Sequence, residues 1–579
     1  MKKIRIRLVM LSSLAFFSLI SLLRLSFHFP NIDSPERHHT EFDRLLGRLQ
    51  DARRVPPAAP LLKDSSHVSL STGVQRTTER HRDILAVYQG VDLQSAEPPE
   101  QPQPGGTEEE ALVHRREVSS ANWPLNLSNV RWRVGPRPTM SADILSAQVR
   151  QPSRREEAWK SCKSFDCVWN EYNKEEKISS DQQRKCDETY GYSLLLRFRA
   201  AEHLLCGGGI SNLRCKQVLV HETHTVQTSI CSGENIMVDF GRIDNGEYPW
   251  LHYQAGALSV HCKKMLEVEW AFIHCLADWM DLGFHSLPNP QECDHTIETP
   301  TVFVTRSGDY SPFAATHDAL NMVLLYAVEG VDLSNVQVVI MDRMAVGFYS
   351  PLWQVLFSPT APVVWYTDLR EEYRGKKVCY TKAYFNIPAR LSPIYNQDTC
   401  GGSTLYRLYV DALMHSIGEM NLSSIPSRVI VTVISRRNYN TGHPIGRRFL
   451  NAKELIVTLR SVHPLLIVNE VDYADFDFDQ QISISRATDL LVAMHGAGLA
   501  HMMFMQPEYG GVFEFFCPEK PSSNYRYQQL ALKMGLVYDS FSINNDANKV
   551  ELPQVLPQLK TIVRIVTEKK RNFWAKSLE

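Results

Sequence analysis

The sequence lacks a charge excess of either sign. Its 62 lysine and arginine residues nearly balance its 64 aspartate and glutamate residues, which leaves a formal net charge of −2. Nothing in this balance indicates nucleic acid or a broadly anionic partner, because such partners select strongly basic surfaces. The 44% hydrophobic and 22% charged residues are typical of a globular protein, and 579 residues are too many for one core. We therefore expect two or three domains.

Cysteine is missing from the first 161 residues, and no CxxC pair or His-rich partner pattern accompanies the 12 cysteines that follow. This absence weakens a metal-binding interpretation. Nine of the cysteines lie between Cys162 and Cys293, and an even count confined to one part of the chain predicts disulfides in an oxidising compartment. The spacing does not give the connectivity, although Cys379 and Cys400 are placed for a local bridge.

The N-terminal segment lacks a clear small-x-small cleavage site. Four basic residues within the first seven positions precede an apolar run that extends to about residue 29. A cleaved signal peptide has a similar pattern, but about 20 mostly apolar residues also suffice to cross a bilayer. Because the basic side stays in the cytosol, we predict a cytosolic tail over residues 1–7 and an uncleaved signal-anchor helix over residues 8–29. The rest of the chain is then luminal.

Residues 30–153 lack sustained apolar periodicity, and their stretch AEPPEQPQPGGTEEE is rich in Pro, Glu and Gln. Such a segment cannot bury enough apolar surface to offset the entropy of ordering. We therefore predict a largely disordered stem. Two NLS sequons, at Asn126 and Asn421, predict N-glycosylation and fit luminal exposure.

From about residue 154 the sequence alternates between strand-like and helical segments. The clearest are strands at 236–240, 301–305 and 336–341, with a helix at 313–327. Such alternation predicts an α/β domain with a parallel sheet, here over residues 154–402 together with the cysteine-rich region. Residues 379–403 contain two prolines and two glycines, which is typical of a linker between domains.

A second α/β series occupies residues 403–579. Its strands are expected at 429–434 and 465–470 and its helices at 452–462 and 477–488. Two such domains with a cleft between them suit a transferase that holds a nucleotide donor on one side and an acceptor on the other.

The most informative segment, residues 490–516, predicts a buried strand, a His-Gly-Ala-Gly turn, a short helix and a second strand that ends at Glu514. A glycine turn at a helix N-terminus directs backbone N–H groups and the helix dipole at a phosphate. The candidate phosphate-binding residues are His495, Gly496, Ala497 and Gly498. Alternatively, the glycines serve only tight packing in an ordinary turn. Glu514 could hydrogen-bond a ribose at the same edge, or could cap a helix or form an ion pair.

Two arginine pairs are expected at the same sheet edge. Arg436 and Arg437 follow the strand 429–434 directly, and Arg447 and Arg448 open the segment that enters the next helix. Arginine binds phosphate bidentately and remains charged. Two pairs beside a glycine turn therefore suit a diphosphate, whereas any single one could be a solvated loop charge.

His317 and Asp318 are the candidates for a general base in the N-terminal half. Both lie near the start of the helix predicted at 313–327 and could face the cleft. Alternatively, Asp318 only stabilises the helix dipole. The sequence does not decide which of the two takes a proton.

The acidic run DYADFDFD, residues 472–479, offers D-x-D pairs that could hold a divalent cation beside phosphates. We interpret it instead as a loop and the acidic N-terminus of the following helix. Arginines and a helix dipole can neutralise a leaving diphosphate without a metal. A divalent cation is therefore not required, and no resident cofactor is predicted.

The segments ISRRNYNTGHPIGRRFLNAKEL and LLVAMHGAGLAHMMFMQP together resemble glycosyltransferase family 61. The resemblance covers about residues 228–540. It implies a GT-B type fold, with two Rossmann-like domains facing a cleft, and inverting transfer from a UDP-sugar that is a substrate. Residues 154–402 would form the acceptor side and residues 403–579 the nucleotide-sugar side.

Within this family the pattern is most similar to enzymes that add β-1,2-linked xylose to the core mannose of N-glycans. The matching residues are Arg436, Arg437, Tyr439, His443, Pro444 and Asn451. The sequence departs at Ala314, where members often carry a histidine, which leaves His317 and Asp318 as the base candidates.

The resemblance therefore implies transfer from UDP-xylose to an N-glycoprotein, and the predicted anchor favours a single-pass type II Golgi membrane protein. One alternative is an N-acetylglucosaminyltransferase that uses UDP-N-acetylglucosamine on protein or O-glycan acceptors. The other is a catalytically silent Golgi lectin.

Overall fold

The computed structural model describes residues 154–176, 178–219, 228–246, 249–265, 284–287, 292–308, 312–344, 346–347, 349–387, 392, 400–418, 428–436, 447–517, 525–543 and 548–578. All of them belong to one compact unit, Ile84–Glu579. The predicted tail, anchor, stem and both sequons lie outside the described residues. Within these residues, no helix combines the length and apolarity needed to cross a membrane.

Four short helices open the described chain: α1 Arg154–Ser161, α2 Phe165–Glu175, α3 Asp181–Tyr190 and α4 Tyr192–Ala200. In α2 the spacing of Phe165, Val168, Trp169 and Tyr172 puts four buried side chains on one face. Helix α3 begins with a capping box, in which the Ser180 side chain accepts from the Gln183 N–H and the Gln183 side chain accepts from the Ser180 N–H. These local signals fold the helices onto the main core.

The N-terminal half forms an 11-stranded mixed sheet. Its strands are β1 Glu202–Gly207, β2 Asn212–Val218, β3 Thr228–Asp239, β6 Leu258–Val260, β7 Lys264–Met265, β8 Phe284–Ser286, β9 His295–Ile297, β10 Thr301–Val304, β11 Gln337–Ile340, β12 Val364–Trp365 and β13 Lys377–Phe385, and a separate hairpin holds β4 Ile243–Asn245 and β5 Leu251–Tyr253. The sheet order is β12-β11-β10-β13-β3-β2-β1-β7, and the strands from β12 to β13 are parallel, whereas β3, β2, β1 and β7 pair antiparallel.

The predicted linker is wrong over part of its length. Residues 379–385 belong to β13, which lies at the centre of the sheet between β10 and β3. Prolines and glycines misled the prediction because they follow this strand rather than interrupt it. The helix predicted at 313–327 is confirmed as α5 Pro312–Glu329, which is buried nearly all round. The described residues of this half also form α6 Pro351–Phe357 and α7 Tyr366–Glu372.

Among the described residues, five disulfides join cysteines of this half: Cys162–Cys167, Cys186–Cys400, Cys206–Cys262, Cys215–Cys231 and Cys293–Cys379. The predicted Cys379–Cys400 bridge is therefore wrong. Cys379 lies in β13, which pairs with β9 just after Cys293, whereas Cys400 precedes α8 Thr404–Ser416 beside α3. Cys517 is buried and unbridged, and Cys275 lies outside the described residues.

The C-terminal half is a five-stranded sheet in which all pairs are parallel. Its elements are β14 Val429–Ile434, α9 Ala452–Val462, β15 Leu466–Val471, α10 Phe478–Ala487, β16 Leu490–Met494, β17 Gly511–Phe516, α11 Arg526–Lys533, β18 Val537–Ser542 and α12 Leu552–Leu578. The strand order β15-β14-β16-β17-β18 reverses between β14 and β16. Such a reversal opens a crevice at the carboxyl ends of the two strands, where α/β sheets bind ligands.

One hydrophobic cluster contains buried side chains from both halves, including Leu320 of α5, Tyr409 of α8 and Met502 after β16. Helix α12 covers the other face of the second sheet, where buried Lys570 contacts Asp489 with a nitrogen–oxygen distance of 2.7 Å. The prediction of an α/β fold with parallel strands is confirmed.

Candidate active site

The His-Gly-Ala-Gly turn lies at the carboxyl end of β16, at the point where the strand order reverses. It leads into a 3-10 helix, Ala497–Phe504. Gly496 has a φ of +154°, which L side chains rarely adopt, and a Cβ built there would lie 2.7 Å from Nη2 of Arg436. The absence of a side chain therefore lets the guanidinium lie directly against the turn, as at Gly498, whose Cβ position is 3.5 Å from the same nitrogen.

Arg436 reaches this position because it follows β14, the neighbour of β16 across the reversal. The predicted association of an arginine with the glycine turn is thus present in the structure. Arg447 also reaches the turn, because its Nη1 donates to the carbonyl of His495 at 3.4 Å. Arg448 is exposed, and Arg437 lies outside the described residues.

Glu514 contacts His495 rather than an open face of the site. Its Oε1 lies 2.5 Å from Nδ1 of His495, and its Oε2 accepts from the Tyr538 hydroxyl at 2.6 Å. The strand β17 runs two residues past the predicted end, so Glu514 lies inside the sheet and is fully buried. This geometry makes Glu514 a buried hydrogen-bond partner of His495 and Tyr538 rather than a helix cap, and ribose binding stays a prediction.

Tyr527 of α11 lies among these groups. Its ring packs edge-on against His495 with centroids 5.0 Å apart. Burial raises the pKa of the Tyr527 phenol well above its usual value, and the nearby charges of Arg526, Arg436 and Arg447 oppose this rise. The two arginines of the glycine turn, Arg436 and Arg447, therefore lie near this one buried aromatic ring, together with Arg526.

The base candidates lie at the carboxyl edge of the first sheet, where Ser307 follows β10. Asp318 Oδ2 accepts from the Ser307 N–H at 2.7 Å and from its hydroxyl at 2.9 Å. Nε2 of His317 lies 2.5 Å from the same hydroxyl oxygen. Burial raises the pKa of Asp318 to about 8, although the Ser307 hydrogen bonds and the charge of Arg306 oppose this shift.

Arg306 itself is held by a buried ion pair. Its Nη2 donates to Asp342 Oδ1 at 2.6 Å, and Asp342 follows β11, the strand beside β10. The guanidinium also lies 4.9 Å from the ring centroid of Trp365. This pair fixes the loop that carries Ser307.

The two sheet edges meet through aromatic rings. Phe313 contacts the His317 ring on its own helix, with centroids 5.5 Å apart, and the Tyr527 ring at 5.7 Å. Helix α5 also packs against the 3-10 helix that follows the glycine turn. The structure therefore brings His317 and Asp318 into the neighbourhood of Arg436 and His495.

Ser307, Phe313, Tyr527 and Tyr538 are absent from the sequence prediction of the site. Only Ser307 carried a usable signal, since it follows a buried strand at the edge where α/β sheets bind ligands. The aromatic residues look like ordinary core positions in the sequence.

The acidic run 472–479 caps helices, as predicted. The Asp472 side chain accepts from Ala474 N–H in a 3-10 turn, and Asp477 forms a capping box with Gln480 at the start of α10. Among the described residues, no group of three or more His, Cys, Asp or Glu side chains is arranged to hold a metal ion.

These residues define a site in which two arginines meet a glycine turn at the edge of a parallel sheet, with the His317–Asp318 pair nearby. Residues 389–512 match the family model described as Glycosyltransferase 61. The EGF domain-specific O-linked N-acetylglucosamine transferase of Gallus gallus is 25% identical over 357 residues, which are 58% of this chain and 62% of that protein. The protein of the same name from Drosophila melanogaster is 27% identical over 354 residues, which are 57% of this chain and 63% of that protein.

These matches confirm the resemblance to glycosyltransferase family 61. The chain spans about six tenths of the length of these two relatives. Among solved structures, a metal-soaked Flv1 flavodiiron core from Synechocystis sp. PCC6803 matches 36% of this chain and 47% of that chain, with 9% identity and a TM-score of 0.18. A similarity this low carries no argument about fold or function.

Proposed function

We propose that this protein is an inverting glycosyltransferase that moves a sugar from a UDP-sugar to a hydroxyl group. The observation that carries the proposal is the Arg436 guanidinium held against the Gly496–Gly498 turn where the strand order reverses. A second support is the position of the two general-base candidates on α5, His317 and Asp318. Helix α5 approaches this turn through the ring contacts of Phe313 with His317 and with Tyr527. A GT-B arrangement, with the donor on the second sheet and the acceptor on the first, is part of this proposal.

On the donor side, the diphosphate would lie over the glycine turn. Arg436 and the N–H groups of the turn would stabilise the negative charge that grows on UDP as the sugar leaves. Arg447, which already contacts the turn, and Arg437 and Arg448 are further candidates for the phosphates. His495 would touch the diphosphate or shape the turn, and Glu514 would hold the orientation of its ring.

On the acceptor side, His317 or Asp318 would remove the proton of the attacking hydroxyl. In an inverting reaction this oxygen attacks the anomeric carbon from the face opposite UDP. A base with a pKa near the working pH is most effective in such a step, and the raised pKa of Asp318, about 8, suits that role.

We propose UDP-N-acetylglucosamine as the first donor to test and a protein hydroxyl as its acceptor. The relatives from Gallus gallus and Drosophila melanogaster support this choice, because both are named EGF domain-specific O-linked N-acetylglucosamine transferases. Transfer of xylose from UDP-xylose to the N-glycan core is the second candidate. It is favoured by the segment that includes Arg436 and Asn451, which resembles the xylose-transferring members.

We also propose that the chain works in the Golgi lumen as a type II membrane protein. The five disulfides support an oxidising compartment, since cytosolic proteins rarely keep such bonds. Protease protection of the chain in intact Golgi vesicles would test this, and digestion without detergent would contradict it.

The donor is tested by incubating the full-length chain with UDP-N-acetylglucosamine or UDP-xylose, each with a folded EGF-like domain and with a biantennary N-glycopeptide. Mass spectrometry then identifies the added residue. An N-acetylhexosamine on the EGF-like domain supports the first proposal, and a pentose on the N-glycan supports the second. No product from any pair would favour the silent lectin.

The site is tested with Arg436→Ala, which should lower the turnover about 10²–10³-fold, the usual loss when one preorganised donor to the growing charge is removed. Arg428→Ala is the matched control, because Arg428 is exposed and precedes β14, whereas Arg436 follows the same strand at its other end. Equal activities of the two variants would remove Arg436 from the site.

A further inference from the structure

The Ser307 hydroxyl lies between the two base candidates, His317 and Asp318, although a general base can act without such a serine. Its hydroxyl has a single proton, which it donates to Asp318 Oδ2 at 2.9 Å. The same oxygen lies 2.5 Å from Nε2 of His317, and while Asp318 is ionised and takes the Ser307 proton, the ring is the donor in that contact. The three groups therefore form a directed chain of hydrogen bonds from His317 through Ser307 to Asp318.

The positions of His317 and Asp318 on α5 decide which end of the hydrogen-bond chain faces the donor site. Phe313 and His317 are four residues apart and share one face of the helix. That face contacts Tyr527, which in turn contacts His495 beside the glycine turn. Asp318 is turned away from this face, is fully buried, and contacts the Ser307 loop.

We propose that His317, Ser307 and Asp318 form a proton relay, in which His317 meets the acceptor hydroxyl and Ser307 passes a proton on to Asp318. This inference rests on the proposed glycosyl transfer and deepens it. His317 is then the catalytic residue at the substrate, Asp318 is the final base, and Ser307 is a positioning and relay residue. None of the three acts as a nucleophile toward the sugar.

The step balances as follows. The acceptor hydroxyl gives its proton to Nδ1 of the imidazole, and its oxygen bonds to the anomeric carbon. The bond from that carbon to the phosphate oxygen breaks, and its electron pair leaves with UDP. The imidazole passes its Nε2 proton to Ser307 Oγ as the Ser307 hydroxyl proton moves to Asp318 Oδ2. Asp318 ends protonated, and UDP carries the negative charge.

The surroundings of Asp318 suit the end of a relay. On its own helix, Nε2 of His317 lies 3.5 Å from Oδ1 of Asp318. The charged groups on other elements are Arg306, which follows β10 and lowers the pKa of Asp318, and Asp342, which follows β11 and raises it. These two are paired with each other at 2.6 Å, so their opposing influences are fixed in one place. Burial then leaves Asp318 more basic than an ordinary carboxylate, and the arriving proton is held.

The test compares Ser307→Ala, Ser307→Thr and the wild-type full-length chain. We expect Ser307→Ala to lower the turnover at least about 100-fold, in the range of general-base contributions, with the KM for the UDP-sugar unchanged. Ser307→Thr keeps the hydroxyl and should remain within about tenfold of the wild type. Ser334→Ala is the matched control, since Ser334 also donates its hydroxyl and its N–H to an aspartate, Asp332, on an exposed loop.

A proton inventory separates a relay from a structural role. In mixtures of H₂O and D₂O, two protons in flight give the wild-type rate a curved dependence on the deuterium fraction, and Ser307→Ala should give a line. The wild-type kcat/KM should also rise with pH as Asp318 ionises, and this limb should shift in Ser307→Ala. A linear wild-type inventory, or a Ser307→Ala variant with wild-type turnover and pH profile, would overturn the relay.

Failure of the relay is distinguishable from failure of the proposed function. If the wild-type chain transfers no sugar, the proposed function falls, and the relay is judged by ¹⁵N NMR of the histidine rings, with His317→Gln as the assignment variant. The relay requires the Nε2-protonated tautomer of His317 at a pH where Asp318 is ionised, and its loss in Ser307→Ala. An Nδ1-protonated ring in the wild type would overturn it.

Discussion

Replacing Gly496 with alanine probes the contact on which the proposed donor site depends. The new Cβ would lie 2.7 Å from Nη2, 3.0 Å from Nη1 and 3.3 Å from Cζ of Arg436. All three distances are shorter than an ordinary contact, so the guanidinium must move away from the turn. The backbone must also hold alanine at a φ of +154°, a region that costs about 1–3 kcal/mol for a residue with a side chain.

The expected loss of activity follows from the displaced cation. If Arg436 no longer meets the charge that grows on UDP, the barrier should rise by about 2.7–4 kcal/mol, which corresponds to about 10²–10³ in turnover. The assay is sugar transfer at saturating acceptor, with thermal unfolding measured in parallel to report the backbone strain. Gly401→Ala is the control, because no heavy atom lies within 4 Å of its Cβ position and its φ is not in the left-handed region.

A double-mutant cycle decides whether the effect acts through Arg436. In an Arg436→Ala background the alanine at position 496 meets no guanidinium, so its further effect on turnover should fall below about threefold. If the two losses instead multiply, the glycine serves only the conformation of the turn. The reasoning about the guanidinium would then be refuted.

Three further predictions follow from the buried charges. Glu514→Gln removes the carboxylate that contacts His495. It should lower the turnover, measured by kinetics, more than it lowers the affinity for UDP, measured by calorimetry. Equal losses of both would indicate a role in folding. Because burial raises the pKa of Asp318 to about 8, the folded chain keeps a proton that the unfolded chain releases near pH 4, so this group's contribution to stability falls as pH rises from about 4 to 8. Urea unfolding should therefore show Asp318→Asn gaining stability relative to wild type between pH 5 and pH 8, and a difference independent of pH would exclude this titration. Lys570→Met leaves the buried Asp489 without its cation and should lower the unfolding free energy by about 3–5 kcal/mol. Lys569→Met, at the neighbouring position, is the control. Similar losses of unfolding free energy in both variants would contradict this prediction.

The sequence alone determined the parts that depend on local pattern. Apolar, β-branched runs such as 429–434 predicted strands that the structure contains, because a strand buried on both faces needs a continuous apolar sequence. The helix α5, the caps of the acidic run and the glycine turn were likewise readable, since capping and turn chemistry act over a few residues. The resemblance to family 61 rested on the same short segments.

The tertiary structure decided which of these residues meet. The reversal of strand order between β14 and β16 puts Arg436 against Gly496, although 60 positions separate them, and no local pattern specifies strand order. Likewise, the register of β13 beside β9 gives Cys379 its partner Cys293, and Glu514 finds His495 only because β16 and β17 are neighbours. Long-range pairings such as these are set by how whole faces pack, which is why the place of Tyr527 in the site emerged only from the fold.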